Sequence, residues 1–269
     1  MVLEPLPTRS RSGDRSHFDG VESNRGRDPP FVRRRPIEGE NIVPVEAAAD
    51  SRDMYAVHRV FRREFTNLPE LIEAVADGDT RRAAVVADHL EFLVTFLHHH
   101  HQGEDELVWP RLLARGTPEI SPLVHTMESQ HHALEGTLTQ LAAAAGQWRT
   151  TATAVSRDAV VGCARYLLSV LFEHLQLEED QVLRLIDTYL TAAEWNQASE
   201  HTMKALKPGK LPVAFGMAMY EADQETRNIM RSTIPAIPWF VFSALGPGAY
   251  KRYAKRVYGT ATPKPYGPR

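Results

Sequence analysis

Four stretches of this chain carry an apolar residue at every third or fourth position, a spacing that admits little besides amphipathic helices packed on one another. The first runs from about residue 50 to 76, with Met54, Val57, Phe61, Phe65 and Leu68 on one face, and ends at the turn Asp77-Gly78-Asp79. Pro69 lies inside it as a candidate kink. The second, from about 80 to 114, turns Val86, Leu90, Leu93, Phe96, Leu97, Leu107 and Val108 inward, includes Gly103 and stops near Gly116. The third starts near Pro118 and carries Val124, Met127, Leu134, Leu138 and Leu141 up to Gly146. The fourth, from about 153 to 190, carries Val160, Ala164, Leu167, Leu171, Val182 and Leu185. No stretch alternates as a strand does. Four long helices with short connections predict an all-α fold, an antiparallel four-helix up-down bundle, whose interior suits metal sites built from facing side chains.

The flanks read differently. Residues 1–45 combine Arg, Pro, Ser and Gly with few large apolar groups, too few to offset the entropy of ordering, and are expected to be a disordered leader. The bundle is expected over 46–190 and a helical extension packing on it over 191–269. That extension holds Pro235, Pro238, Trp239, Phe240 and Phe242, then Tyr250, Lys251, Arg252, Tyr253, Lys255 and Arg256. It reads as short helices broken by proline that cap the bundle; a membrane-surface or homodimer contact is the alternative.

Composition limits location and partners. One cysteine, Cys163, rules out a disulfide scaffold and suits a reducing compartment, so a cytoplasmic protein is expected. No apolar run near the N-terminus resembles a signal-peptide core. The longest apolar run, around 237–245, is broken by Pro238 and Ser243 and falls far short of the roughly 20 residues of a membrane span. Residues 46–203 hold 12 basic and 24 acidic side chains, a net −12, whereas residues 204–269 hold 11 and 3, a net +8. An acidic middle repels phosphates and argues against nucleic acid as a partner.

Histidine placement is the most informative feature, because 10 of the 12 lie between His58 and His174, inside the four helices. His58 follows Met54 by four residues and precedes Phe61 by three, which sets it on the buried stripe. On the second helix the inward line runs Leu93, Phe96, His100, Glu104, Leu107. On the third, His131 lies between Met127 and Leu134, while His132 lies nearer the polar side. On the fourth, His174 and Glu178 form a pair four residues apart, in line with Leu171 before and Val182 after. A lone histidine on an apolar face is usually a satisfied core residue. Four of them with two carboxylates are different, since burying each without a partner costs a few kcal/mol. Imidazole with carboxylate suits Fe, Zn or Mn, and two carboxylates can bridge two ions.

The order His58, then His100-His101-Gln102-Gly103-Glu104 with Trp109-Pro110, then His131, then His174-Leu175-Gln176-Leu177-Glu178 resembles the hemerythrin-like, or HHE cation-binding, domain. The resemblance covers about residues 50–190. It implies two non-haem iron ions, oxo- or hydroxo-bridged, bound by His58, His100, His131 and His174, with Glu104 and Glu178 as bridging carboxylates. A seventh ligand is implied as well. Family members closest to the oxygen carriers have a histidine four residues after the third-helix histidine; here that position is Glu135, and Glu135, His132 and His101 are the candidates. His98 and His99 are expected beside the site or at the surface, Asp88 or His89 in hydrogen bonds within the bundle, and His125 and His201 exposed.

Other chemistries fit less well. A ferritin-like site needs two inward Glu-x-x-His motifs, and only Glu128 to His131 offers that spacing in this region. The His-Glu-x-x-His of a zinc hydrolase and a glycine-rich phosphate loop are missing. The function expected from the resemblance is therefore a di-iron protein that reacts with a small gaseous or peroxide ligand (dioxygen, peroxide or nitric oxide), with peroxidase, catalase-like or oxidase activity as its enzymatic form. An oxygen or iron sensor, or a reversible oxygen or iron store, is the alternative.

Overall fold

The computed structural model describes residues 46–267; the expected leader, residues 1–45, lies outside the described residues. Everything regular in the described residues is helical. The long elements are α1 (Met54–Glu73), α2 (Thr80–Leu107), α4 (Ser121–Thr151) and α5 (Ala154–Leu177), with a short α3 (Trp109–Arg115) between α2 and α4. A π-helical turn, Glu178–Val182, joins α5 to α6 (Leu183–Tyr189). Beyond it lie α7 (Ala192–Ala205), α8 (Leu211–Tyr220), α9 (Gln224–Thr233) and α10 (Ala236–Tyr258).

Local chemistry sets several of these boundaries. Asp79 caps α2 by accepting from the Arg82 amide, and Thr153 caps α5 through the Ser156 amide. The second stretch is not one helix to residue 114 as its periodicity suggests. Pro110 has no N–H to continue the ladder, so the chain breaks at Val108 and restarts as α3 with proline in its first turn. Gly146 does not end the third helix, which runs on to Thr151 and closes on Ala152 in a left-handed conformation (φ 47°). α1 passes through Pro69 without ending.

Two apolar layers fill the interior. One contains Phe61, Phe65, Leu68, Leu93, Leu97, Leu138, Leu167 and Leu171. The other contains Met54, Trp109, Leu112, Val124, Met127, Val182 and Ile186. On α1 the chain passes from the second layer to the first, on α2 back again, on α4 and α5 likewise in alternation, so each helix crosses one common level between the layers. The chain enters beside the end of α6, where the Ala49 amide donates to the Leu190 carbonyl and the Ala192 amide to the Ala47 carbonyl.

The C-terminal helices lie directly on the C-terminal half of α2. α7 crosses it at Gly103, where an added Cβ would meet the Ala198 carbonyl at 3.2 Å, and the Thr202 hydroxyl donates to the His99 carbonyl at 3.1 Å. α8 and α10 cross at Gly216 and Gly246, close enough that a Cβ on Gly216 would come within 2.3 Å of the Gly246 carbonyl oxygen.

Candidate metal centre

The level between the two layers is occupied by polar side chains. His58, His100, His101, Glu104, His131, His174 and Glu178 are all buried, with His58, His174 and Glu178 fully so. Their possible ligand atoms fall into two groups, each within 4.8 Å of one another: His101, Glu104, His131 and His174 in one, and His58, His100 and Glu178 in the other.

Both carboxylates reach across the two groups. Glu104 sets one oxygen 3.2 Å from His100 Nε2 and the other 3.5 Å from His131 Nε2. Glu178 Oε2 lies 3.3 Å from His58 Nε2 and 3.7 Å from His174 Nε2. These approaches lack hydrogen-bond geometry: the Nε2 atoms of all five histidines and all four oxygens of Glu104 and Glu178 are buried without a hydrogen-bond partner. Such an atom costs about 1–3 kcal/mol, and nine together exceed what a marginally stable fold tolerates without something to coordinate them.

Three of the five rings have a partner at the opposite nitrogen. His58 Nδ1 is 2.8 Å from Glu179 Oε1, His131 Nδ1 is 2.6 Å from Asp105 Oδ1, and His174 Nδ1 is 3.2 Å from Gln130 Oε1. An acceptor at Nδ1 fixes the proton there and leaves the Nε2 lone pair aimed at the centre, the tautomer a metal needs. The acceptors are held in turn: Arg62 donates to both oxygens of Glu179, and Trp109 Nε1 donates to Asp105 at 2.9 Å. This is the role of the aromatic residue in the Trp109-Pro110 pair. The π turn begins at Glu178 and lets consecutive residues, Glu178 and Glu179, approach the same His58 ring from its two nitrogens.

Burial pushes His100 and His174 down to about 3 and holds His101 well below the usual imidazole value, so these rings are neutral and free to coordinate. Burial acts against a proton on His58 too, but Glu178 and Glu179 outweigh it and raise its pKa. Glu178 is lowered to about 2, against its burial, by His58 and the imidazoles around it. Burial and the facing Glu178 raise Glu104 well above the usual carboxylate range. Soft thiolate is absent from the set, and borderline imidazole with hard carboxylate fits iron as well as other first-row divalent ions.

Glu135 stands apart. It lies on the exposed side of α4, its carboxylate 2.7 Å from His98 Nδ1 at the surface. Four residues turn a helix 40° past full circle, and on α4 that step leaves the stripe, which continues through Leu134 and Leu138. His132 is exposed on the same helix. A fifth buried imidazole in the cluster is that of His101 on α2, where the neighbours His100 and His101 fall in different groups of candidate ligand atoms. His89 is fully buried and bonds within the protein, Asp88 pairs with Arg149 at 2.6 Å, His125 is exposed and His201 half-buried. Sequence reasoning missed Asp105, Glu179, Gln130 and Arg62. A signal existed for two of them, since each candidate carboxylate ligand is followed at once by a second acid, Glu104-Asp105 and Glu178-Glu179.

Fold and centre together define a helical bundle built around a cation site. The chain belongs to the hemerythrin family, for the family model of the hemerythrin HHE cation binding domain matches residues 50–186. Compared with curated proteins and with solved structures, the chain matches none.

Proposed function

We propose that this chain is a non-haem di-iron protein whose centre reacts with dioxygen, peroxide or nitric oxide. The observation that carries the reading is the set of nine buried, unpartnered donor atoms, divided into two groups with both carboxylates spanning them. His101, His131 and His174 would hold one ion and His58 and His100 the other, with Glu104 and Glu178 placed to serve both. The alternation of the apolar layers along α1, α2, α4 and α5 supports an up-down antiparallel bundle as the frame.

When bound, a pair of irons supplies one- or two-electron exchange with a small oxidant. The protein's part is to orient His58, His131 and His174 with Nε2 toward the centre, through Glu179, Asp105 and Gln130 at Nδ1, and to keep water out with the layers on either side. The ion served by two imidazoles has fewer protein donors, and its His100 and Glu104 border a cavity, which gives a small molecule a route in.

One observation favours a second reading. An anionic oxygen from Glu135 would favour ferric iron and turnover, but a fifth imidazole from His101 makes the donor set closer to that of a reversible carrier or store. The two part in one experiment. Iron is measured by elemental analysis, the protein is reduced without air, and dioxygen is admitted and then pumped away. A colour change that does not reverse, with consumption of added peroxide, is the expected outcome; full reversal under vacuum would establish carriage, and absence of bound iron would overturn both.

The single cysteine accords with a cytoplasmic location; among the described residues no helix is long and apolar enough to cross a membrane. A homodimer would form on the exposed face of α10 that carries Ile237, Phe240 and Leu245.

A further inference from the structure

A cavity of about 430 Å³ lies between the bundle and the C-terminal helices, and iron chemistry with a diatomic molecule does not need a space of that size. His100 and Glu104 line it at the bundle side; Phe96, Trp195, Phe215 and Phe242 are among its other walls. Its volume falls in the usual range of small-molecule sites and at interior packing density holds roughly fifteen heavy atoms.

The wall chemistry selects the occupant. Two polar side chains on the lining are already used, Trp195 Nε1 donating to Asp53 at 3.0 Å and the Thr202 hydroxyl donating to the His99 carbonyl at 3.1 Å, while Asn196, Ser199 and Glu200 line it from half-buried or exposed positions of α7. Against walls that are mostly hydrocarbon a charged or strongly polar guest would give up water and find little to replace it, whereas an apolar one gains by leaving water. Among the fully buried side-chain atoms of the lining, those without a partner are His100 Nε2 and the Glu104 oxygens, at the centre itself.

We infer that this cavity is a binding pocket for a small, uncharged, apolar organic molecule, an alkyl or aryl compound, held with one end against the His100 and Glu104 side of the metal centre. The second half of that statement rests on the di-iron reading above. The C-terminal helices then have a task beyond capping: α7, α8, α9 and α10 together wall a pocket that opens on the ion with fewer protein donors. A stretch of hydrocarbon wall over a reactive centre excludes water and selects what approaches it.

The test uses the full chain and 1-fluoronaphthalene as probe, followed by 19F NMR. Saturable one-to-one binding is expected, weakened at least tenfold by Ala214→Trp, which fills the pocket from α8, with bound iron unchanged. Met203→Trp, at a half-exposed lining position, covers the case in which Ala214→Trp fails to fold, and is expected to act the same way. On the Fe(II)-loaded protein the bound probe's resonance is expected to broaden severalfold relative to the metal-free protein, because the paramagnetic ions lie at the pocket floor. Iron loading with no saturable probe binding, or binding that neither variant weakens, would overturn the pocket. Probe binding that both variants weaken in a protein that takes up no iron would support the pocket and overturn the di-iron reading and the adjacency with it.

Discussion

The bundle buries two histidine–carboxylate clusters, and they are opposite in kind. At the metal centre, five imidazoles and two carboxylates leave nine atoms without partners. The second cluster, where α10 meets α1 and α2, buries Glu64 and His89 just as completely yet satisfies both. Glu64 accepts from Arg63 Nε at 2.7 Å, from the Tyr250 hydroxyl at 3.0 Å and from the Tyr258 hydroxyl. Since Tyr258 gives its proton to Glu64, its oxygen accepts from His89 Nε2 at 3.1 Å, and the Tyr253 hydroxyl donates to His89 Nδ1 at 3.0 Å. That network assigns one proton to His89 and asks for no ion. The same residue types, equally buried, are satisfied where tyrosines complete them and left open to a cation where nothing among the described residues does.

The contrast breaks most visibly at the ligands. Glu178→Ala is expected to lose most of the bound iron while circular dichroism stays helical, because the apolar layers on either side remain; His174→Ala should do the same. Full iron content in both variants would mean the centre lies elsewhere.

Acid should separate the clusters next. Burial lowers His89 to about 4, with Lys210, Arg63 and Arg82 adding to it and Glu64 opposing. The unfolded chain therefore takes up this proton first as pH falls, so the stability that neutral His89 contributes is full above about pH 6.5 and is lost toward pH 4, a loss of about 3 kcal/mol. Glu64, held below its usual value against its burial by Arg63 and His89, acts in the same direction. Urea unfolding of the native chain and of His89→Gln at pH 7 and pH 4.5 isolates the contribution; equal pH sensitivity in the two would refute it.

Two smaller effects sharpen the comparison. Asp105→Ala removes the acceptor that orients His131, so iron affinity is expected to fall about tenfold or more with little change in fold, read by competition with a chelator. Tyr258→Phe should leave iron content intact and cost about 1–3 kcal/mol, since a buried carboxylate loses a donor and His89 an acceptor. The least effect is expected at Glu135: Glu135→Ala should bind iron as the native chain does, and a clear loss would return that residue to the centre.

The periodicity of the apolar residues was sufficient to read four long helices and to set His58, His100, Glu104, His131, His174 and Glu178 on their inner faces, because side-chain direction on a helix follows from spacing alone. Boundaries were less legible: the break at Val108 follows from Pro110, but the run of α4 past Gly146 depends on Ala152 closing it, which no local pattern announces. Identity of the fifth imidazole depended on tertiary structure. His101 and Glu135 are both one step off a stripe, and only the neighbours that α2 and α4 meet determine that one step leads inward and the other to solvent. The same holds for the satisfied cluster and the cavity. Arg63, Glu64 and His89 are distant in sequence from Tyr250, Tyr253 and Tyr258, and the pocket walls come from six helices. Residue types and local direction are properties of the chain; whether a buried imidazole finds a tyrosine, a partner acid or only its fellow ligands is decided where separate helices come together.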